Sequence, residues 1–216
     1  MQQTVTLADA APIATGIAAI IIENQALLSE IDGATGDGDH GINMAKGFRL
    51  VIERLESKSF DLREGFATIG DTLLGDIGGS MGPLYGSFFT EMAEALDGTS
   101  TLDRDRFAAM LSAGEAAIVD LGEAKVGDKT LIDVLVPARD AFIAAAKDGR
   151  DFAASLQALQ TASAAGLEGT RDMVARLGRA ARLGERSRGT LDAGACSCNL
   201  ILQALADGLL QRLEPA

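Results

Sequence analysis

Residues 103–121 read DRDRFAAMLSAGEAAIVDL, and this stretch decides the fold class. Its apolar side chains are spaced three or four positions apart, which places them on one face of an α-helix. They are Phe107, Met110, Leu111, Ala117, Ile118 and Leu121. Across the chain, hydrophobic residues make up 47% and aromatic residues only 4%. Alanine and leucine supply most of this apolar content, a composition that favours closely packed helices over a sheet.

The same helical spacing recurs in segment after segment. We predict helices over 8–31, 43–57, 61–75, 81–97, 103–121, 130–147, 151–168 and 195–213. Asp61 is the expected N-cap of the third, and we expect no series of strands. The 216 residues suffice for one domain, residues 1–216, with a sizeable core. The predicted fold is therefore all-α, with eight helices in an up-and-down bundle or barrel.

The formal net charge of −12 argues against a nucleic-acid partner, because phosphate backbones bind to basic surfaces. The apolar run 17–22 ends at Glu23 and is too short to cross a membrane. The first residues also lack the basic segment of a signal peptide. Cys196 and Cys198 stand two positions apart, a spacing at which cysteines rarely pair. We therefore expect reduced thiols in a cytoplasmic protein with no membrane contact.

Glycines cluster in four breaks between the predicted helices, at 33–41, 75–86, 122–127 and 184–194. These breaks also hold most of the unusual polar residues. Alternate loops of an up-and-down bundle share one end, so the breaks could converge on a common site.

The first break lies within DGATGDGDHGINM, residues 32–44, where Asp32, Asp37 and Asp39 stand beside the only histidine, His40. Three carboxylates in one loop repel one another unless a cation lies among them, and oxygen ligands suit Mg²⁺ or Ca²⁺. An EF-hand is excluded, because Phe48 stands where that motif needs a bidentate Glu. A solvated acidic turn is the simpler alternative, but three aspartates among glycines favour a metal site.

The second break lies within GDIGGSMGPLYGSFF, residues 75–89. Its glycines precede a predicted helix start, where free backbone N–H groups and the hydroxyl of Ser80 can hold a phosphate. A glycine-rich turn that only lets two helices approach closely is an equally good interpretation of this segment alone.

The third and fourth breaks are more ambiguous. KVGDKTLIDVLVPA, residues 125–138, is not a P-loop, because Asp128 precedes Lys129. It predicts a helix start capped by Asp128 or Thr130, with Asp128 and Lys129 on the solvated surface. GRAARLGERSRGTLDAGA, residues 178–195, places four arginines in an otherwise acidic chain. Guanidinium groups there can bind phosphate, or they can form an exposed basic loop.

Taken together and in this order, the four motifs resemble the nucleotide-binding L domain (DhaL type) of dihydroxyacetone kinases. The resemblance covers nearly the whole chain and implies eight antiparallel helices in an α-barrel. It implies a nucleotide, ADP or ATP, held in the loops at one end through two Mg²⁺ ions. The implied Mg²⁺ ligands, through which catalysis acts, are Asp32, Asp37 and Asp39. The implied nucleotide contacts are His40, Gly41, Ile42, Asn43, Ser80, Met81, Gly122, Leu131, Arg179, Asp192, Ala193 and Gly194.

The resemblance also implies partners. In this family a histidine on a separate K domain or subunit binds the ketose covalently, and nothing in this chain resembles that domain. We therefore expect a kinase subunit that delivers phosphate to dihydroxyacetone, or to a tetrulose such as erythrulose, held by a K subunit. Short separate L subunits are frequent where tightly bound ADP is rephosphorylated by a phosphotransferase-system carrier (DhaM type). That favours ADP as a cofactor over exchanging ATP.

Two other functions stay open at this stage. One is a nucleotide-sensing regulatory module that binds a protein partner. The other is a helical bundle in which the metal has only a structural role. The sequence leaves the oligomeric state undecided, a homodimer included.

Three positions depart from the family pattern. Ala193 stands where proline is usual, which predicts a looser loop. Leu131 replaces a frequent methionine with a side chain of similar volume. Ile42 replaces a common threonine, so the hydroxyl is lost while the backbone N–H remains.

Overall fold

The computed structural model describes residues 3–213. Their helices are α1 (Pro12–Glu23), α2 (Gln25–Gly33), α3 (His40–Leu55), α4 (Leu62–Asp76), α5 (Met81–Glu94), α6 (Arg104–Gly122), α7 (Ile132–Lys147), α8 (Phe152–Gly169) and α9 (Ala193–Leu210). Short 3₁₀ segments cover Thr170–Asp172 and Ala180–Ser187. The predicted predominance of helix is confirmed.

The prediction of one helix over residues 8–31 is wrong. This segment forms two helices, α1 and α2, whose axes are bent by 53°. The break lies at Asn24, whose backbone N–H and side-chain Nδ2 both donate to the carbonyl of Ile20. The backbone bond is the ordinary i−4 bond of an α-helix, and α1 ends at Asn24 because its φ of −93° and ψ of 14° leave the helical region, while the side-chain bond holds Asn24 against the last turn.

Aspartates begin several of the helices. Asp61 is the N-cap of α4 as predicted, accepting from the N–H of Glu64 at 2.9 Å while the Glu64 carboxylate accepts from the N–H of Asp61. Asp103, Asp151 and Asp192 cap α6, α8 and α9 through the same i+3 bond.

The predicted cap of α7 is wrong. This helix begins at Ile132, and its N-cap is Leu131, which makes no side-chain capping bond. Thr130, one residue earlier, accepts at Oγ1 from the N–H of Ile132 at 3.2 Å. Asp128 instead accepts from the N–H of Lys125 at 2.9 Å, inside the preceding loop.

Two short strands were not predicted. β1 (Thr4–Thr6) pairs antiparallel with β2 (Thr101–Asp103), with Val5 opposite Leu102. Both of these apolar side chains are buried in the core. The pair therefore joins the N-terminal segment to the start of α6.

Helices that follow one another from α3 to α9 pack against one another, and α1 packs against both α3 and α9. Two aromatic clusters fill the interior. One joins Phe48, Phe66, Phe88 and Phe89, and the other joins Phe107, Phe142 and Phe152.

Helices α4 and α5 approach closely because both carry glycine at the contact. A Cβ added at Gly70 would lie 2.4 Å from Thr90 Oγ1, and one at Gly86 would lie 2.5 Å from Leu74 Cγ. Any larger residue would push the helices apart and move the loop between them.

Helix α9 alone among the described helices is long and apolar enough to cross a membrane, and 56% of that window is buried inside the fold. The paired helices α1 and α2 pass the same test only if their bend is ignored. A buried amphipathic core helix has the same composition, so this finding is weak evidence for a membrane span.

Candidate functional site

The glycine-rich breaks converge on one cavity with a volume of about 880 Å³. Its walls come from the α2–α3 loop, the α4–α5 loop, the α6–α7 loop and the segment before α9. Its lining includes Asp32, Asp37, Asp39, His40, Asn43, Ser80, Met81, Leu84, Ile118, Leu121, Gly122, Lys129, Thr130, Leu131, Leu177, Arg179, Asp192, Ala193 and Gly194.

Three aspartates form a carboxylate cluster on one wall of the cavity. Asp32, Asp37 and Asp39 each offer an oxygen, and these oxygens all lie within 4.8 Å of one another. The loop folds this way because Gly38 adopts a φ of +78°, and because Asp32 Oδ2 accepts from the N–H of His40 at 3.2 Å. The donors are hard oxygens at a spacing that fits a divalent cation.

Arg179, from the segment before α9, forms an ion pair with Asp37 of the carboxylate cluster. Both side chains are about half exposed. The pair links the α2–α3 loop to the segment that leads to α9, and it offsets part of the repulsion among the carboxylates.

The α4–α5 loop forms a second wall and turns at Gly79, which has a φ of +76°. Helix α5 begins at Met81, with Ser80 immediately before it. The N–H groups of its first turn have no partners within the helix, so they form an anion-binding end beside the cavity. A Cβ at Gly82 would lie 2.2 Å from the carbonyl of Ile77, so only glycine permits this tight entry.

Lys129 was predicted to lie on the solvated surface, and that prediction is wrong. Its side chain is only 2% exposed, and its backbone has a φ of +63°. The Nζ donates to the carbonyls of Met173 at 3.3 Å and Thr190 at 2.8 Å, and also to the carbonyl of Ser187. An ammonium can be buried there because three carbonyl oxygens replace its water shell.

Asp133 holds the same loop from the other side. Its carboxylate accepts from the N–H of Gly127 at 2.5 Å and of Thr130 at 2.7 Å. The loop before α7 is therefore fixed at both ends, and Leu131 is placed on the cavity wall.

His40 lies at the start of α3 and is joined to α9 by a buried hydrogen-bond network. Its Nε2 lies 3.0 Å from Ser197 Oγ, which lies 2.8 Å from the hydroxyl of Tyr85. Both hydroxyls lie 3.0 Å from the carbonyl oxygen of Gly194. Burial lowers the pKa of His40 to about 4, although the nearby Asp32 carboxylate acts to raise it.

Asp192 caps α9 from inside the site. Burial raises the pKa of its carboxyl to about 6, opposed by the hydrogen bond from the N–H of Ala195 and by the charge of Lys129. Cys196 and Cys198 are free and buried, as expected from their spacing. Burial raises the pKa of the Cys196 thiol to about 11 and that of Cys198 further still, which disfavours the thiolate form of both.

All the predicted site residues except Gly41 and Ile42 line the cavity. Gly41 packs against α2, where an added Cβ would lie 2.1 Å from the carbonyl of Gln25. The side chain of Ile42 is 54% exposed and does not line the cavity. Sequence reasoning missed Lys129, Tyr85 and Ser197, whose partners lie far along the chain.

The geometry can be compared with known proteins. Residues 34–207 match the DAK2 domain family. The chain is 40% identical over 184 residues to the ADP-binding subunit DhaL of PEP-dependent dihydroxyacetone kinase 1 from Listeria innocua, covering 85% of this chain and 87% of that relative. It is 36% identical over 181 residues to the corresponding DhaL subunit of Escherichia coli, covering 83% and 86%.

A longer protein matches in fold. The structure of the dihydroxyacetone kinase from C. freundii in complex with AMP-PNP and Mg²⁺ has a TM-score of 0.69 and 29% identity, covering 96% of this chain and 35% of that chain. The chain thus spans about a third of that kinase, while it covers most of the length of the DhaL subunits. The sequence, the fold and the position of the loops together show that this chain belongs to the DAK2 domain family, among its DhaL-type members.

Proposed function

We propose that this chain is the nucleotide-binding phosphotransfer subunit of a kinase for dihydroxyacetone or a related short ketose. The observation that carries the proposal is the carboxylate cluster, with its oxygens within 4.8 Å of one another, on the wall of a nucleotide-sized cavity. Relatives that match over nearly their whole length are named ADP-binding subunits, and the kinase of similar fold was solved with AMP-PNP and Mg²⁺.

The residues present fit Mg²⁺. Asp32, Asp37 and Asp39 supply only oxygen donors, and the charge of Arg179 relieves part of their mutual repulsion. We propose that this cluster holds two Mg²⁺ ions, since a nucleotide's phosphates bring further negative charge into the same space. Bound there, the metal neutralises the charge that develops on the transferred phosphoryl group.

The chain's own residues bind and orient the nucleotide. The N–H groups at the start of α5 and the Ser80 hydroxyl hold phosphate oxygens, while Arg179 supplies a bidentate donor beside Asp37. The apolar wall formed by Leu131, with the aliphatic residues of α6, covers the base. Phosphoryl transfer needs little covalent help, so this alignment is the chain's main contribution to the rate.

We further propose that the acceptor ketose is held by a separate K subunit and that the chain is active only with it. Among the longer relatives is an L-erythrulose 1-kinase of Mycolicibacterium smegmatis, 35% identical over 88% of this chain and 34% of that relative. We infer that the ketose is selected outside this chain, since its relatives include kinases named for dihydroxyacetone and for erythrulose. ADP remains bound as a cofactor and is rephosphorylated by a phosphotransferase-system carrier of the DhaM type, in the cytoplasm.

The helix contacts support a closed architecture. Because α3 to α9 pack in sequence and α1 contacts both ends of that series, we propose that these eight helices form an up-and-down α-barrel with α2 beside it. The nucleotide then lies in the loops at one end.

The test begins with the purified chain, which is denatured and analysed for released ADP after dialysis in Mg²⁺. We expect about one ADP per chain, and phosphorylation of dihydroxyacetone only when a K subunit is added. Asp37→Ala should abolish both, which also separates a kinase from a regulatory module that keeps its partner. A chain that binds neither ADP nor ATP with Mg²⁺ would contradict the proposal, and robust turnover without a K subunit would contradict its partner.

A further inference from the structure

The network that joins His40 to α9 limits where its protons can lie. Four short contacts connect four groups: His40 Nε2 to Ser197, Ser197 to Tyr85, and each hydroxyl to the carbonyl of Gly194. The carbonyl only accepts, and each hydroxyl has one proton to donate. The contacts therefore compete for the few protons that the network contains.

The tautomer of His40 decides whether the network is satisfied. If the neutral ring carries its proton on Nδ1, the two hydroxyl protons must serve four contacts, and two of these contacts have none. If the proton is on Nε2, a continuous chain of donors runs from Nε2 to Ser197, on to Tyr85, and ends at the carbonyl of Gly194. Only the short contact between Ser197 and that carbonyl is then left without its own proton.

The other ring nitrogen has a different environment. Within residues 3–213, Nδ1 of His40 has no hydrogen-bond partner, and it is absent from the fully buried polar atoms that lack one. His40 is 6% exposed and lines the cavity. The small exposed part of this side chain therefore includes Nδ1.

We propose that Ser197 and Tyr85 are positioning residues that hold His40 in the Nε2–H tautomer, so that Nδ1 presents a lone pair to the cavity. Such a nitrogen accepts a hydrogen bond from an O–H group of the bound ligand, either a ribose hydroxyl or a metal-bound water. The assignment of this ligand rests on the proposed nucleotide-binding function. The tautomer does not.

The single histidine makes a direct test possible. In the ¹⁵N spectrum of histidine-labelled protein at pH 8, above the ordinary pKa of imidazole, we expect one ring signal pair. Nε2 should show a protonated nitrogen and Nδ1 an unprotonated one. Ser197→Ala should shift this pair toward the mixed tautomers of a free imidazole. A wild-type ring protonated on Nδ1, or a Ser197→Ala spectrum identical to wild type, would overturn the proposal.

Binding supplies the second readout. Ser197→Ala should weaken the affinity for ADP with Mg²⁺ by about 3–10-fold, the size of one lost hydrogen bond. The same change should have no further effect in a His40→Ala background. Ser163→Ala is the matched control, because this buried hydroxyl on α8 bonds to Asn199 outside the cavity. Additive losses in the double variant would contradict the positioning role.

The ligand's donor is identified by 2′-deoxy-ADP and 3′-deoxy-ADP. If a ribose hydroxyl is the donor, one of these nucleotides loses affinity in wild type but not in His40→Ala. If a metal-bound water is the donor, removing either ribose hydroxyl changes the affinity by the same factor in wild type and in His40→Ala, and His40→Ala weakens Mg²⁺ binding instead. Absence of any effect of His40→Ala would refute the acceptor role. A protein with the expected tautomer that binds no nucleotide would refute the proposed function alone.

Should Ser197→Ala fail to fold, Tyr85→Phe tests the same hydrogen-bond network, because it removes the hydroxyl that donates to the carbonyl of Gly194.

Discussion

The ammonium of Lys129 donates to the carbonyl of Thr190 at 2.8 Å, which ties the loop before α7 to the segment before α9. The same nitrogen also donates to the carbonyls of Met173 and Ser187. One buried side chain therefore joins two walls of the cavity. Asp192, which follows this segment, lies close enough to Lys129 for each charge to alter the other's pKa.

Replacing Lys129 with methionine should destabilise the protein by about 1–3 kcal/mol. The three carbonyls lose their donor, while methionine fills a similar side-chain volume. Urea unfolding followed by circular dichroism measures the change. Lys125→Met is the control, since Lys125 is an exposed lysine of the same loop. If both variants unfold at the same urea concentration as wild type, the buried ammonium contributes nothing to stability.

The burial of Lys129 could not be predicted from the sequence. Its acceptors lie 44, 58 and 61 positions away, and no local pattern near GDKT indicates them. The Asp61 cap was predictable because its partner lies three residues on. The break at Asn24 was missed because the apolar spacing continues through it, and a single asparagine within that spacing does not indicate that its backbone leaves the helical region.

The carboxylate cluster was predicted from spacing alone, since its three aspartates lie within one short loop. The ion pair of Asp37 with Arg179 was not, because the two residues are 142 positions apart in the sequence. Local composition therefore predicted the candidate ligands, while the contacts that arrange them depend on the tertiary fold.

Arg179→Met should separate two effects at the site. Without its guanidinium, Asp37 is free to bind a cation, so we expect Mg²⁺ alone to bind about 2–5-fold more tightly, the scale of an exposed ion pair. Mg²⁺ with ADP should bind more weakly, because a phosphate donor is lost. Calorimetry with each ligand measures both. Arg182→Met is the control, because Arg182 is an exposed arginine of the 3₁₀ segment that Arg179 precedes. Weaker binding of Mg²⁺ alone would contradict the role of the pair.

Stability should fall as the pH rises through the titration of Asp192. The folded protein holds this proton up to about pH 6, whereas the unfolded chain releases it near its ordinary value of 3.8. Because the folded state binds more protons between these values, its free energy of unfolding decreases from about pH 4 to pH 6 and then levels off. The change is on the order of 3 kcal/mol for this group.

Asp192→Asn keeps a capping oxygen for the N–H of Ala195 but cannot ionise. The difference in unfolding free energy between this variant and wild type should therefore grow in favour of the variant from pH 4 to pH 6. Denaturant unfolding at several pH values, with EDTA and without nucleotide, measures it. A difference that does not vary with pH would show that the buried carboxyl titrates normally.

Ala193→Pro should stabilise the protein, although it changes a residue on the cavity wall. Ala193 is the first residue of α9, where proline's missing N–H costs nothing and its fixed φ suits the helix. Asp192 before it has φ −89° and ψ 132°, which a following proline tolerates. We expect a gain of about 0.4–1 kcal/mol, because the unfolded chain loses freedom.

The matched control for Ala193→Pro is Ala195→Pro, two positions further along the same helix. The N–H of Ala195 donates to Asp192 Oδ2 at 2.8 Å, and proline would remove this capping bond. We expect this variant to lose on the order of 1–3 kcal/mol, so the two prolines should shift the urea midpoint in opposite directions. If Ala193→Pro is also destabilising, then the ring clashes with the cavity wall, and the alanine is required there by packing and not merely tolerated.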